Sequence, residues 1–196
     1  RGDPGGRSYG TWQLNRRMVG AFINSDVAQQ WAREFQGLSP ASPQFDATWR
    51  RIAAREPAGF QDAQYAFIRR ENYESLANRV RRSTGVDLDS LGDTMRNVAW
   101  STATQQGWNE RLRSFETAVR RADQRTRRDD PRYGELVIRE VYAARIDQAL
   151  RQSQGHAARG EQQEAQTMNN VATIRLPSEL NDALEMYRSE RANERR

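Results

Sequence analysis

Residues 89–107 read D-S-L-G-D-T-M-R-N-V-A-W-S-T-A-T-Q-Q-G, and they indicate the fold class more clearly than any other part of the chain. Their apolar positions recur three and four residues apart, which is typical of one face of a helix: Leu91, Met95, Val98 and Thr102. Ser101 and Gln105 add hydrogen-bonding groups to the second half of this helix, and each needs a partner if it is buried. The stretch therefore predicts a central, largely buried helix whose second half faces a cleft.

Helical spacing continues on both sides of this segment. The expected helix boundaries carry residues that cap or start helices, namely Asn15 as an N-cap, Pro43 and Pro131 as starts, and Gly85 as an end. Alternating runs that suit a strand occur at 8–14 and 171–176. The chain is therefore predicted to be mainly α, with a small β-hairpin near its start and a short strand near its end.

The first fourteen residues, R-G-D-P-G-G-R-S-Y-G-T-W-Q-L, combine a carboxylate, turn residues and aromatic groups in one short segment. Asp-Pro followed by Gly-Gly is ordinary turn chemistry, because Asp accepts local backbone hydrogen bonds and Gly tolerates positive φ. The same residues also suit one half of an active site, since glycines let a sugar approach the backbone closely. From the residues alone, both interpretations stay open.

Three segments resemble the chitosanase-like peptidoglycan hydrolases, which occur as phage-associated lysozymes and as C-terminal toxin domains of type VI secretion spike proteins. Residues 2–14 are similar to the signature G-D-P-G-G-x-S-Y-G-x-[YW]-Q-L, and residues 100–107 to W-S-T-A-x-Q-[HQ]-G. A weaker match, R-Y-x-x-E-like, lies at 132–135. The resemblance implies a lysozyme-like helical glycoside hydrolase domain over residues 1–150.

Hydrolysis of a β-1,4 glycosidic bond with inversion needs a general acid and a general base on opposite sides of the bond. The resemblance implies that Asp3 is the base and that the hydroxyl of Ser8 helps to hold the water. It also implies that the general acid is a glutamate upstream of Arg1. The expected substrate contacts are Tyr9, Thr11, Gln13, Ser101 and Gln105. We expect no metal and no cofactor.

The residues after 150 lie outside these matches. Residues 151–170 are rich in Gln, Glu and Ala and predict a polar linker or an exposed helix. Residues 171–196 predict a strand followed by a helix, which resembles part of a ribbon-helix-helix DNA-binding unit that lacks its second helix. A helix that docks on the main domain or on a partner is the favoured interpretation of this tail.

The composition narrows the class of protein. The chain has 196 residues, no cysteine and one histidine, which argues against a disulfide framework and a thiolate metal site. All 31 basic residues are arginine, but they are interleaved with 26 acidic ones, as on solvated helix faces, so nucleic acid is not the favoured partner. The excess of +5 belongs to residues 1–150, with 24 Arg against 19 Asp and Glu, and favours an anionic polymer such as the bacterial wall.

These observations lead to two main hypotheses. The first is a muramidase-type peptidoglycan hydrolase that acts on glycan strands and belongs to a virion or is delivered to the periplasm or cell wall. The second is a structural or interaction protein that keeps a lysozyme-like domain and assembles with other virion or secretion-spike proteins. We expect neither a signal peptide nor a membrane span, because no apolar run is long enough.

Overall fold

The structure is a computed structural model that describes residues 8–194. It is mainly helical, as the periodicity predicts. The α-helices of the described residues are α1 Arg16–Ile23, α2 Ala32–Phe35, α3 Pro43–Arg55, α4 Pro57–Ile68, α5 Ser75–Thr84, α6 Asp93–Gln105, α7 Trp108–Asp123, α8 Tyr133–Ala158, α9 Gln162–Asn170 and α10 Leu176–Asn193. Short 3₁₀ segments lie at Asp26–Trp31 and Asp89–Leu91, and π-helical turns at Arg69–Glu74 and Val171–Arg175.

The chain divides into two compact units, Arg1–Glu71 and Asn72–Arg196. The expected boundaries at residues 150 and 170 stay a prediction, and α8 runs without a break through residue 150 to Ala158. The described helices are too short or too polar to cross a lipid bilayer. A lysozyme-like domain over residues 1–150 stays a prediction.

The first unit is built on a cluster of aromatic rings. The rings of Trp49 and Phe60 lie 4.6 Å apart and those of Trp31 and Phe60 lie 4.8 Å apart, both close to edge-to-face. Phe22 packs against the same two partners, Trp49 and Phe60. Each such pair adds about 0.5–1.5 kcal/mol to the free energy gained from burial.

Two helices of this unit begin at the positions that the sequence predicts, and a side chain caps the start of each. The side chain of Asn15 accepts hydrogen bonds from the backbone N–H groups of Arg17 at 3.1 Å and Met18 at 3.0 Å, which caps α1. Ser42 caps α3 through the N–H of Phe45, with Pro43 in the first turn. Both caps satisfy N–H groups that have no partner within the helix.

The second unit has a core of aliphatic and some aromatic side chains, formed mainly by α5 to α8 and α10. Its fully buried side chains include Leu76, Met95, Phe115 and Ile138. Gly134 of α8 allows α10 to approach closely, because a methyl group there would lie 2.3 Å from the hydroxyl oxygen of Tyr187. The helix predicted over residues 89–107 is confirmed in its main part, and its buried face includes Met95 and Val98.

A side chain of α10 also caps the N-terminus of α6. The carboxylate of Glu190 accepts hydrogen bonds from the backbone N–H of Asp93 at 2.6 Å and from that of Thr94 at 2.9 Å. An acidic group at this position also interacts favourably with the positive end of the helix dipole. Gly92 makes the approach possible, since a methyl group there would lie 2.3 Å from the carboxylate.

The strand predicted at 171–176 is wrong. Residues Val171–Arg175 form a π-helical turn, and Leu176 begins α10. Ala172 and Leu176, four residues apart, are both buried in the core of the second unit. Packing of these two positions therefore outweighs the local preference of the β-branched residues for a strand.

The helical assignment of residues 171–176 can be tested with two matched substitutions. In a strand, Ile174 and Leu176 would share one face, but in the structure Ile174 is 66% exposed and Leu176 is 2% exposed. We expect Leu176→Ala to lower the free energy of unfolding by about 2–5 kcal/mol and Ile174→Ala to change it by less than about 0.5 kcal/mol. Urea denaturation followed by circular dichroism measures both values, and equal losses would contradict the helical assignment.

Candidate functional site

Four candidate site residues, Ser8, Tyr9, Thr11 and Gln13, lie in or next to a tight turn of the first unit. Asp3, the expected base, lies outside the described residues. Tyr9 and Leu14 form one antiparallel bridge, with the two N–H to O=C bonds both at 2.9 Å, and residues 10–13 close the turn between them. Within residues 8–194, the predicted hairpin is therefore reduced to this single bridge, which Ser8 directly precedes.

Tyr9 anchors the turn to the core of the first unit. Its hydroxyl donates a hydrogen bond to Asp46 at 2.5 Å and accepts one from the backbone N–H of Ala41 at 3.0 Å. Its ring packs against Phe45 and Trp49 at centroid distances of 5.4 and 5.2 Å. The side chain predicted to line a cleft is buried, and its polar atom is engaged inside the protein.

The expected alternation of side chains along residues 8–14 does not occur. Because residues 10–13 form a turn and not a strand, Thr11 and Gln13 are exposed while Tyr9 is buried. Gln13 has a φ of +52°, a left-handed conformation that strand residues do not adopt. Contacts of Thr11 and Gln13 with a sugar stay a prediction.

The turn contains a glycine that no other residue can replace without strain. Gly10 has a φ of +67°, and a methyl group there would lie 1.8 Å from the Oε1 atom of Gln64. Gln64 is buried, and its Nε2 atom donates to the carbonyl of Phe60 at 3.0 Å. Both the backbone conformation and the packing therefore require glycine at this position.

Two glutamates of the first unit, Glu34 and Glu56, form ion pairs with Arg55. The guanidinium of Arg55 hydrogen-bonds Glu34 and holds the pKa of that carboxyl below its usual value, with a smaller effect from Arg51. Glu56 accepts hydrogen bonds from Arg55 at 2.7 Å and from the indole N–H of Trp31 at 3.2 Å. A general acid must hold its proton near neutral pH, which requires a raised pKa, so the lowered pKa of Glu34 does not suit that role.

Ser101 and Gln105, the candidate residues of α6, belong to a polar cluster in the second unit. The Nε2 atom of Gln105 donates to the Ser101 hydroxyl at 3.2 Å. The buried Arg145 of α8 donates to the Oε1 atom of Gln105 at 2.5 Å. The same guanidinium contacts Glu179 of α10 at 3.1 Å. We call these four residues the Arg145 cluster.

The carboxyl group of Glu179 in the Arg145 cluster is kept ionised by the arginines next to it. Partial burial raises the pKa of Glu179, but Arg175 and Arg145 outweigh this effect, so the pKa lies below its usual value. Arg145 is 2% exposed and also lies over the ring of Tyr142, 4.7 Å from the centroid. A buried guanidinium is stable only with such partners, because an unpaired buried charge costs several kcal/mol.

Sequence reasoning missed Arg145 and Glu179. One signal was present, because Arg145 lies four residues after Val141 and four before Ala149, at a position of the buried stripe of α8. A charged residue in an apolar stripe indicates a buried ion pair or a ligand contact. Its partner on α10 was not recognisable, since no local pattern links residues so distant in sequence.

The Arg145 cluster borders a groove of about 310 Å³. Gln105 and Arg145 line it together with Gln148 and Arg175. This lining offers hydrogen-bond donors to an oxygen-rich ligand, as the prediction for Gln105 requires, but a sugar contact stays a prediction. Among residues 8–194, no group of three or more His, Asp or Glu side chains is arranged to hold a metal ion.

Comparison with known proteins identifies the relatives of this chain. A family model described as type VI secretion system spike protein VgrG3-like, C-terminal, matches residues 1–152. The type VI secretion system spike protein VgrG3 of Vibrio cholerae serotype O1 is 33% identical over 113 residues, which are 57% of this chain and 11% of that protein. The chain therefore spans a small part of the length of this curated relative.

The requirement for glycine at position 10 can be tested by comparison with Gly37, a second glycine of the same unit. Gly37 has a similar φ of +74°, but a methyl group there would meet no atom within 4 Å. We expect Gly37→Ala to cost about 1–2 kcal/mol of stability through its backbone alone, and Gly10→Ala to cost about 1–3 kcal/mol more through overpacking against Gln64. Urea denaturation measures both, and equal losses would show that Gln64 moves aside freely.

The Arg145 cluster predicts a pH-dependent stability. Since the folded-state pKa of Glu179 lies below its unfolded value of about 4.5, its contribution is present above that pH and is lost as the pH falls through the folded pKa. We expect Glu179→Gln to lower the free energy of unfolding by about 1–3 kcal/mol at pH 7, because Arg145 loses a charged partner, and by less at pH 3.

Glu185→Gln on the same helix is the matched control, because Glu185 is exposed. Its effect should stay within about 0.5 kcal/mol at both pH values. Denaturation curves of the parent and the two variants at pH 7 and pH 3 provide the comparison. A loss for Glu179→Gln that is equally large at both pH values would contradict the assigned ion pair.

Proposed function

The chain belongs to the family of C-terminal regions of VgrG3-like type VI secretion spike proteins, and on this premise we propose that it is a peptidoglycan hydrolase. The proposed reaction is hydrolysis of β-1,4 glycosidic bonds in the glycan strands of the bacterial wall, with inversion at the anomeric carbon. The observation that carries the proposal is the match of residues 2–14 to the hydrolase signature within a chain of this family.

In the proposed reaction, the carboxylate of Asp3 removes a proton from a water molecule that attacks the anomeric carbon. The Ser8 hydroxyl helps to hold that water. A glutamate upstream of Arg1, expected from the family resemblance, protonates the leaving glycosidic oxygen. In inverting enzymes the two carboxyl groups stand about 6.5–9.5 Å apart so that the water fits between the base and the sugar.

The geometry of the turn supports the proposed roles of Ser8, Thr11 and Gln13. The bonds of Tyr9 to Asp46 and Ala41 hold the chain immediately after Ser8 against the core of the first unit. A fixed attachment suits a water-positioning hydroxyl, because small displacements of a catalytic group reduce the rate strongly. Thr11 and Gln13 are exposed on the same turn and are available to contact hydroxyl or acetamido groups of a sugar.

The family also suggests where the reaction takes place. A spike protein of a secretion system is delivered out of the producing cell, so we propose the periplasmic cell wall of a target cell as the site of action and other spike components as partners. The excess of 24 Arg over 19 acidic residues in residues 1–150 favours approach to an anionic wall polymer.

Asp3→Asn in the full-length protein tests the proposal. We expect the release of reducing ends from purified peptidoglycan to fall by about 100-fold or more, because removal of a general base costs about 10²–10⁴ in rate. The melting temperature should stay unchanged. Asp62→Asn is the matched control, since Asp62 is an exposed aspartate of the same unit.

Two results would contradict the proposal. An Asp3→Asn variant with undiminished release of reducing ends would remove the assigned base. A full-length protein that releases no reducing ends but assembles stoichiometrically with spike components would favour the interaction protein instead.

A further inference from the structure

A second groove lies along the contact between α7 and α8, in the second unit, and has a volume of about 510 Å³. It is separate from the turn at Tyr9, and no part of the proposed hydrolysis uses it. Its lining is strongly polar and is contributed by both helices. The residues that the argument uses are Glu110, Arg113, Thr117, Asp147, Arg151 and Gln152.

The groove carries charged side chains of both signs. Within residues 8–194, the side chains of Arg113 and Arg151 form no hydrogen bond or ion pair with the protein, and the same holds for the side chains of Glu110 and Asp147. Arg113, Asp147 and Arg151 are exposed, so they are solvated by water that a ligand can replace. The other two arginines of the lining do have partners, since Arg121 contacts Glu140 at 3.3 Å and Arg159 contacts Glu161 at 2.9 Å.

The free charges are arranged in the same way on both helices. Glu110 and Arg113 are three residues apart on α7, and Asp147 and Arg151 are four apart on α8, so each helix presents one anion and one cation on one face. Each of these pairs could close on itself, but in the structure all four groups stay open to the groove. A ligand with both carboxylate and ammonium groups satisfies them together.

The neutral part of the lining suits peptide groups. Gln152 of α8 and Thr117 of α7 offer donors and acceptors between the charged residues, and Gln148 offers its Nε2 donor, since its Oε1 atom accepts a hydrogen bond from Gln106. Glu110, Gln148 and Gln152 also line the groove beside the Arg145 cluster, so the two grooves adjoin. The α8 residues that line the groove between α7 and α8 run from Ala144 to His156 and span about 18 Å of helix, the length of an extended peptide of about five residues.

We propose that this groove binds the stem peptides of peptidoglycan, a mixed-charge ligand with free carboxylates, an amine and amide bonds. This inference rests on the proposed function for its choice of substrate and adds a second contact with that substrate. Arg113 and Arg151 bind carboxylates of the stem, because guanidinium groups pair with carboxylates in a bidentate geometry. Glu110 and Asp147 bind its ammonium group, and their negative charges disfavour a uniform polyanion.

The test measures binding of a soluble stem tetrapeptide that contains diaminopimelate to the full-length protein, by isothermal titration calorimetry. This peptide has no glycosidic bond, so binding is measured independently of hydrolysis. We expect the pair of substitutions Arg113→Gln and Arg151→Gln to weaken binding by about tenfold or more, as loss of charged hydrogen bonds implies. Arg79→Gln with Arg82→Gln on α5 is the matched control, because both side chains are exposed in the same unit.

A second double substitution distinguishes a site for a mixed-charge ligand from a site that binds any anion. We expect Glu110→Gln with Asp147→Asn to weaken binding of the tetrapeptide severalfold, whereas the same variants would strengthen binding of any ligand that is only an anion. Tighter binding in these variants, or stronger binding of polyglutamate than of the tetrapeptide, would overturn the proposal in favour of a polyanion.

Failure of this inference can be told apart from failure of the proposed function. If the protein hydrolyses peptidoglycan but the tetrapeptide does not bind, the groove proposal is wrong and the hydrolase proposal stands. If the tetrapeptide binds with the expected dependence on Arg113 and Arg151 but no reducing ends are released, the groove proposal stands. Circular dichroism of every variant confirms that the helices remain intact.

Discussion

A guanidinium group buried among three helices is the constraint on which the second unit depends. Arg145 of α8 is 2% exposed, and its charge is compatible with burial only because α6 supplies Gln105 and α10 supplies Glu179. An arrangement that moved α10 away would leave an uncompensated buried charge, at a cost of several kcal/mol, and one that moved α6 away would remove a hydrogen-bond acceptor of the guanidinium. The polar cluster therefore specifies which helices are neighbours, while the surrounding aliphatic contacts supply most of the burial energy.

Polar contacts between distant residues play a similar part elsewhere. Glu190, near the end of α10, satisfies the free N–H groups at the start of α6, and Gly92 leaves the space for it. In the first unit, the hydroxyl of Tyr9 joins the N-terminal turn to Asp46 of α3. In each case one side chain from another segment fixes a helix end or a turn. Such short segments leave backbone groups without partners and gain little stability from their own local structure.

These constraints shape what the chain can do as a member of the VgrG3-like family. The exposed turn with Thr11 and Gln13 and the polar second half of α6 each offer side chains to a ligand, and each is held by the core of its own unit. The groove between α7 and α8 adds open charges of both signs. The ligand that we propose for this set of groups is a wall polymer with sugar hydroxyls, carboxylates and amines, and not a uniform polyanion.

The sequence by itself determined the helical class and several helix boundaries, because caps and periodicity are local. Asn15 and Gly85 act as predicted since an N-cap and a left-handed end depend on a few neighbouring residues. Only the tertiary structure decided that residues 171–176 are helical, that Tyr9 is buried, and that Arg145 finds its partners on α6 and α10. The last two outcomes depend on contacts between residues more than 30 positions apart, which no local pattern encodes.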